Sequence, residues 1–108
     1  MITYEDFKKV EIRLGEVLSA ERVPETDKLL RLTVTFGEEE PRQIISGIAE
    51  HVDPEHVVGK KFPFVTNLEP RVIRGLESNG MILGVSAQEG AFALLEPTHD
   101  VVAGSYIG

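Results

Sequence analysis

Two arginines, two asparagines and a serine fall within one short stretch, Asn67-Leu68-Glu69-Pro70-Arg71-Val72-Ile73-Arg74-Gly75-Leu76-Glu77-Ser78-Asn79-Gly80. These residue types suit an anion. The planar fork of Arg71 or Arg74 can donate two parallel hydrogen bonds to a phosphate. Asn67 and Ser78 can bond phosphate, sugar or a base edge. Gly75 and Gly80 let backbone N–H groups approach a ligand closely. Lys28, at the end of a second polar stretch, supplies another positive charge. Composition supports a plainer reading equally well: a solvated connection that Val72, Ile73 and Leu76 pin to the protein.

Other chemistries find less support. The chain has no cysteine, so disulfides, thiol nucleophiles and cysteine-based metal sites are excluded. His51, His56 and His99 lack the i, i+4 spacing of a helical metal pair and read as solvated side chains, with no metal expected. There is no G-x-S-x-G elbow. Gly75…Gly80 has neither the lysine nor the spacing of a P-loop. The expectation is a binding domain, not an enzyme, without a cofactor.

The net charge of −7 runs against a nucleic-acid partner, whose phosphates call for a basic face. Distribution matters more than the sum. Every Lys and Arg lies at or before Arg74, and the remainder carries only Glu77, Glu89, Glu96 and Asp100. The first 74 residues therefore hold 14 acids against 11 bases, which leaves room for a local basic patch.

These residues need a scaffold. Thr3 and Asp6 have capping-box spacing, which predicts a short N-terminal helix. Val10, Ile12 and Leu14 alternate with polar neighbours, and Val17 and Leu18 resume after Gly15, as in a long strand bent at a glycine bulge. Glu21–Lys28, with Pro24, reads as a loop. Leu30, Leu32, Val34 and Phe36 alternate in the clearest strand of the chain. Gln43–Ser46 follows as a third strand. Asp53-Pro54 opens a short helix, with Asp53 as its cap. Phe62, Phe64 and Thr66 mark a fourth strand, with Pro63 at an edge or bulge. Met81–Val85 makes the fifth, and Phe92–Leu95 and Val101–Ile107 are weaker candidates. This order describes an all-β, five-stranded OB-fold barrel, with a short helix between strands three and four and extra C-terminal strands. It also suits another small barrel or an open α+β sheet. In an OB-fold the loops after strands one and four bind oligonucleotides, and here they are Glu21–Lys28 and Leu68–Gly80.

The chain reads as one domain, 1–108. It has no signal-peptide stretch and no apolar run of membrane-spanning length, so a soluble cytoplasmic protein is expected, with no membrane partner. Phe36, Phe62 and Phe64 sit at core-like positions, leaving few aromatics for base stacking. That fits recognition of a folded RNA by backbone and shape. The C-terminal segment, with Phe92, Leu94, Leu95, Val101, Val102, Tyr106 and Ile107, is more apolar than a five-strand barrel needs, which predicts a dimer.

Four segments carry a family resemblance over roughly Asp6 to Val102. They are Asp6-Phe7 with Val10-Glu11-Ile12-Arg13-Leu14-Gly15; Thr26-Asp27-Lys28-Leu29-Leu30; Ser46-Gly47-Ile48; and Asn67-Leu68-Glu69-Pro70-Arg71 leading to Arg74-Gly75 and Glu77-Ser78-Asn79-Gly80-Met81. In this order and spacing the chain resembles the tRNA-binding OB domains of the Trbp111 and EMAP II type. Those occur free-standing and as the C-terminal module of methionyl-tRNA synthetases. The resemblance implies structure-specific, largely sequence-independent tRNA binding at the outer corner of the L, and a homodimer built through the C-terminal additions. It assigns binding to Lys28, Asn67, Arg71, Arg74, Ser78 and Met81, and to Arg42 at the head of the third strand. Val72 stands where the family often has lysine, and Val23 where histidine is common. The related CsaA-like proteins, linked to protein export and chaperone activity, supply the alternative: a protein-interaction module on the same fold.

Overall fold

The computed structural model describes residues 1–108. A single helical turn, α1 (Tyr4–Phe7), opens the chain, and both bonds of the Thr3–Asp6 capping box are made. Ten strands follow: β1 (Ile12–Arg22), β2 (Leu30–Thr35), β3 (Arg42–Ser46), β4 (Lys61–Val65), β5 (Arg71–Ile73), β6 (Leu76–Ser78), β7 (Met81–Ile82), β8 (Gly84–Ser86), β9 (Phe92–Leu94) and β10 (Tyr106–Ile107). Between β3 and β4, Pro54–His56 forms one 3-10 turn.

The antiparallel sheet runs β3-β2-β1-β4-β7 and curls into a nearly closed five-strand barrel. Its seam lies between β3 and the segment entering β7. There the Asn79 N–H donates to the Gln43 carbonyl at 2.8 Å, and the Ile45 N–H donates to Ser78 Oγ at 2.9 Å.

β1 serves both sides of the barrel. Residues Ile12 to Glu16 pair with β4, and Glu16 to Arg22 pair with β2. Where β2 ends, β10 takes the vacated edge, opposite Ile12 and Arg13. The expected bend is present but not at the glycine. Register runs unbroken through Gly15↔Phe62, and the shift falls between Val17 and Ser19, turning Leu18 outward. Gly15 answers a different need. A Cβ there would lie 2.6 Å from both the Phe36 ring and Val34 Cγ1. Overpacking of this kind costs about 1–3 kcal/mol.

The alternation of β2 does what its pattern predicts: Leu30, Leu32 and Val34 point inward and are fully buried. They join Val17, Phe36, Ile44, Phe62 and Phe64 in the core, where Phe36 and Phe64 meet edge-to-face at 5.4 Å between centroids. Each fully buried Leu, Val or Phe contributes about 1.5–3 kcal/mol.

The predicted helix at Asp53 shrinks to one turn, and the Asp53 side chain does not cap it. Its carboxylate instead accepts from Arg22 at 3.1 Å, a tertiary partner that outcompetes the local one. The turn places Val57 as an apolar plug in the core. Pro63 stands opposite Leu14 in the β1–β4 ladder and ends the β4–β7 pairing: its carbonyl accepts the Leu83 N–H at 3.1 Å, but it has no N–H to return. The expected fifth strand, Met81–Val85, breaks at Leu83. β7 stays with β4, while β8 leaves to pair with β9, and the Phe92 ring covers Gly84.

Candidate nucleic-acid interface

The stretch read as a loop, Leu68–Gly80, is mostly a β-hairpin. Arg71 faces Ser78, Val72 faces Glu77 and Ile73 faces Leu76. The two-residue turn is Arg74-Gly75, with φ of 53° and 79°. Positive φ at both turn positions is the I′ geometry that follows the twist of a hairpin. Glycine adopts it freely, whereas arginine bears a backbone cost of about 1–2 kcal/mol.

The base of the hairpin is fastened to the barrel. Ser78 is only 5% exposed. Its hydroxyl accepts the Ile45 N–H and lies 3.3 Å from the Gly80 carbonyl, to which it can donate. Gln43 Nε2 donates to the Glu77 carbonyl at 2.9 Å. Asn67 anchors the other end: its Oδ1 accepts from the Glu11 N–H at 2.8 Å, and its Nδ2 donates to the Lys9 carbonyl at 2.7 Å.

Arg42 is equally committed. Nε and Nη2 each donate to Glu38 at 3.0 Å, Nη1 donates to the Thr66 carbonyl at 2.6 Å, and the guanidinium lies over the Phe36 ring. Arg13 joins the same carboxylate through Nη1 at 3.1 Å. The hydrogen bond from Arg42 is the main reason the Glu38 carboxyl is held below its ordinary 4.5, aided by the charge of Arg42 and by Arg13 against the opposing effect of partial burial.

The remaining predicted residues face outward. Arg71 shares a small, about 50 Å3 crevice with Leu68, Ile73, Ser78 and Met81, at the junction of hairpin and barrel. Met81 opens β7 and is 44% exposed. Lys28 is exposed on the β1–β2 connection, and its carbonyl is pinned by the Ala49 N–H at 2.9 Å. Val72 points to the opposite face of the hairpin, 72% exposed and across from Glu77. That outer face is therefore apolar and acidic.

Ion pairing sorts the cations. Of 11 Lys and Arg, six are held by carboxylates: Lys9, Arg13, Arg22, Arg31, Arg42 and Lys61. Lys8, Lys28, Lys60, Arg71 and Arg74 are not, and Lys8 lies over the Tyr4 ring. All five are exposed, and three of them, Lys28, Arg71 and Arg74, lie on the β1–β2 connection and the hairpin. The hairpin tip and the β1–β2 connection also share a cleft of about 370 Å3, lined by Glu21, Arg22, Val23, Pro24, Arg31, Arg74 and Leu76. The sequence reading singled out neither Arg22, which it placed in the loop Glu21–Lys28 and which closes β1 instead, nor Arg31, since a strand arginine carries no local sign of which loop will fold beside it.

Two other clusters contain histidine. Asp53, Glu55 and His56 converge but are all exposed, and Asp53 is already bonded to Arg22. His51 stacks on Phe92 at 5.0 Å between centroids, a packing role.

The sequence profile of one family, described as "Putative tRNA binding domain", matches residues 12–106. The chain belongs to this tRNA-binding domain family. It is 46% identical over 106 residues to a methionine–tRNA ligase of Porphyromonas gingivalis, covering 98% of this chain and 15% of that ligase. The chain thus spans about 15% of the length of the curated relatives it matches. Among solved structures, a MetRS related protein from Pyrococcus horikoshii superposes with a TM-score of 0.94 at 36% identity, covering 100% of this chain and 98% of that one. A chaperone CsaA from Bacillus anthracis gives 0.89 at 30% identity, covering 100% and 99%. The OB-type barrel and the family resemblance read from the sequence are both borne out. No helix is long and apolar enough to cross a membrane.

Proposed function

We propose that this domain holds tRNA by its backbone, without reading sequence, at the mouth of the barrel between the β1–β2 connection and the β5–β6 hairpin. The observation that carries the reading is the set of exposed, unpaired cations on these two elements: Lys28, Arg71 and Arg74. Phosphate contacts provide affinity and orientation but carry no sequence information. The large core aromatics, Phe36, Phe62 and Phe64, are fully buried and unavailable for stacking, which favours recognition by shape. Met81 offers an apolar contact beside Arg71. Asn67, Ser78 and Arg42 act as positioning residues in this reading, since their polar atoms are already bonded within the chain. The domain works either alone or as an appended module that brings tRNA to a methionyl-tRNA synthetase, in the cytoplasm.

A gel-shift titration with tRNA at low and at physiological salt tests the proposal. Retarded complex at micromolar protein and low salt, weakening steeply as salt rises, is expected. No complex at low salt would end it.

The end-to-end likeness to a chaperone CsaA favours one second reading, a protein-interaction module. Suppression of aggregation of an unfolded client, without tRNA binding, would select it.

The C-terminal segment supports a homodimer. Phe92 and Leu94 are packed against the chain's own core. Leu95, Val101, Val102, Tyr106 and Ile107 remain exposed, and four of them, with Leu14 and Pro63, line an apolar groove of about 340 Å3 beside β10. A second copy covering this face would bury it.

A further inference from the structure

We propose that the cleft between the β1–β2 connection and the hairpin tip is a second phosphate seat, built by Arg31 and Arg74, with Glu21 occupying Arg31 while the seat is empty. The inference rests on the tRNA-binding reading above and extends it from Arg74 to Arg31 and Glu21, which that reading does not contain.

Three of the chain's six arginines line this cleft, on a protein of net charge −7. Their commitments differ. Arg22 donates through Nη1 to the Ala49 carbonyl at 3.0 Å and through Nη2 to Asp53 at 3.1 Å. It ties the connection to the 3-10 turn and has little left to offer. Arg74 has no partner and brings its charge in from the strained turn. Arg31 stands between these cases. It faces Glu21 directly across the β1–β2 ladder, and its Nη2 is hydrogen-bonded to that carboxylate. Nε and Nη1 have no partner, and both side chains of the pair are about half exposed.

An exposed cross-strand pair of this kind is weak, because solvent screens both charges. A phosphate beside Arg74 would offer Arg31 a bidentate geometry that its single bond to Glu21 does not, with a second guanidinium sharing the charge. Glu21 is then an internal competitor: its carboxylate holds one arm of the fork until a phosphate arrives, and its charge repels that phosphate meanwhile. The exchange predicts that removing the acid tightens RNA binding only while Arg31 is present.

The experiment is a fluorescence-anisotropy titration of labelled tRNA with the wild-type domain and with E21Q, R31Q, the double variant E21Q/R31Q, E25Q and R74G, over a range of salt. Glu25 is an exposed acid of the same connection that does not line the cleft, so E25Q measures general charge removal. E21Q is expected to bind about threefold tighter and R31Q about threefold weaker, the scale of an exposed ion pair. R31Q should also lower the salt slope by about 0.9, one phosphate's share. The gain from E21Q should vanish in E21Q/R31Q. An unchanged affinity and slope in R31Q would overturn the proposal, as would an E21Q gain that E25Q reproduces or that survives without Arg31. If R74G weakens binding while R31Q does not, the second seat fails and the tRNA reading stands. If the wild-type domain does not bind at low salt, the underlying reading fails as well.

Discussion

Removing the hairpin's two free charges tests the interface without touching the fold. Arg71 and Arg74 form no ion pair and no side-chain hydrogen bond, so Arg71→Ala with Arg74→Gly should not lower stability by more than about 0.5 kcal/mol. Glycine at position 74 also accepts the 53° φ that arginine bears at a cost. The effect on binding can be worked from counterion release. Each neutralised phosphate contributes about 0.9 to the slope of log affinity against log salt on duplex nucleic acid, so two lost contacts lower it by about 1.8. Between about 50 and 200 mM salt, a fourfold change, the advantage of wild type over the variant should therefore shrink by about twelvefold. The assay is a tRNA titration at several salt concentrations, with a urea unfolding curve beside it. Equal slopes for the two proteins would refute the assignment of these arginines to phosphate. So would a binding loss that tracks a loss of stability.

Three further outcomes follow from the geometry. Ser78→Ala strands the buried Ile45 N–H and should cost about 1–3 kcal/mol in urea unfolding, with the tRNA affinity of the folded protein nearly unchanged if Ser78 only positions the hairpin. The Glu38 carboxyl is held below its ordinary 4.5, so its contribution to stability is fully present above that value and is lost as pH falls through the lower, folded value. Glu38→Gln should accordingly lose less stability than wild type between neutral pH and about pH 3, read from urea midpoints. Light scattering should give a dimer mass for the wild-type domain and a monomer mass for Val102→Asp, since Val102 is exposed beside the C-terminal groove; a monomeric wild type would count against the dimer.

Much of the barrel was legible because its signals are local. The period-2 pattern of Leu30–Phe36, the capping pair Thr3 and Asp6, and the proline-led turn at Asp53-Pro54 each write their conformation into neighbouring residues. The misplacements have non-local causes. Gly15 resembled a bulge because a missing side chain looks the same whether the backbone bends or another side chain needs the space, and the Phe36 ring that needs it is distant in sequence. The β5–β6 hairpin was hidden by three-residue strands and an Arg-Gly turn in place of Asn-Gly. Asp53 lost its capping role to Arg22, from another element.

The sequence by itself determined the barrel, the two connections at its mouth, and a set of candidate binding residues. Alternation and turn chemistry act over a few residues, and the motif spacing can be read directly along the chain. Only the tertiary structure decided which cations are free. Arg42 and Arg13 are drawn onto Glu38 and Arg22 onto Asp53, while Lys28, Arg71 and Arg74 have no carboxylate partner within the chain. Pairing depends on which side chains folding brings within about 4 Å of each other, a distance that spacing along the chain does not encode.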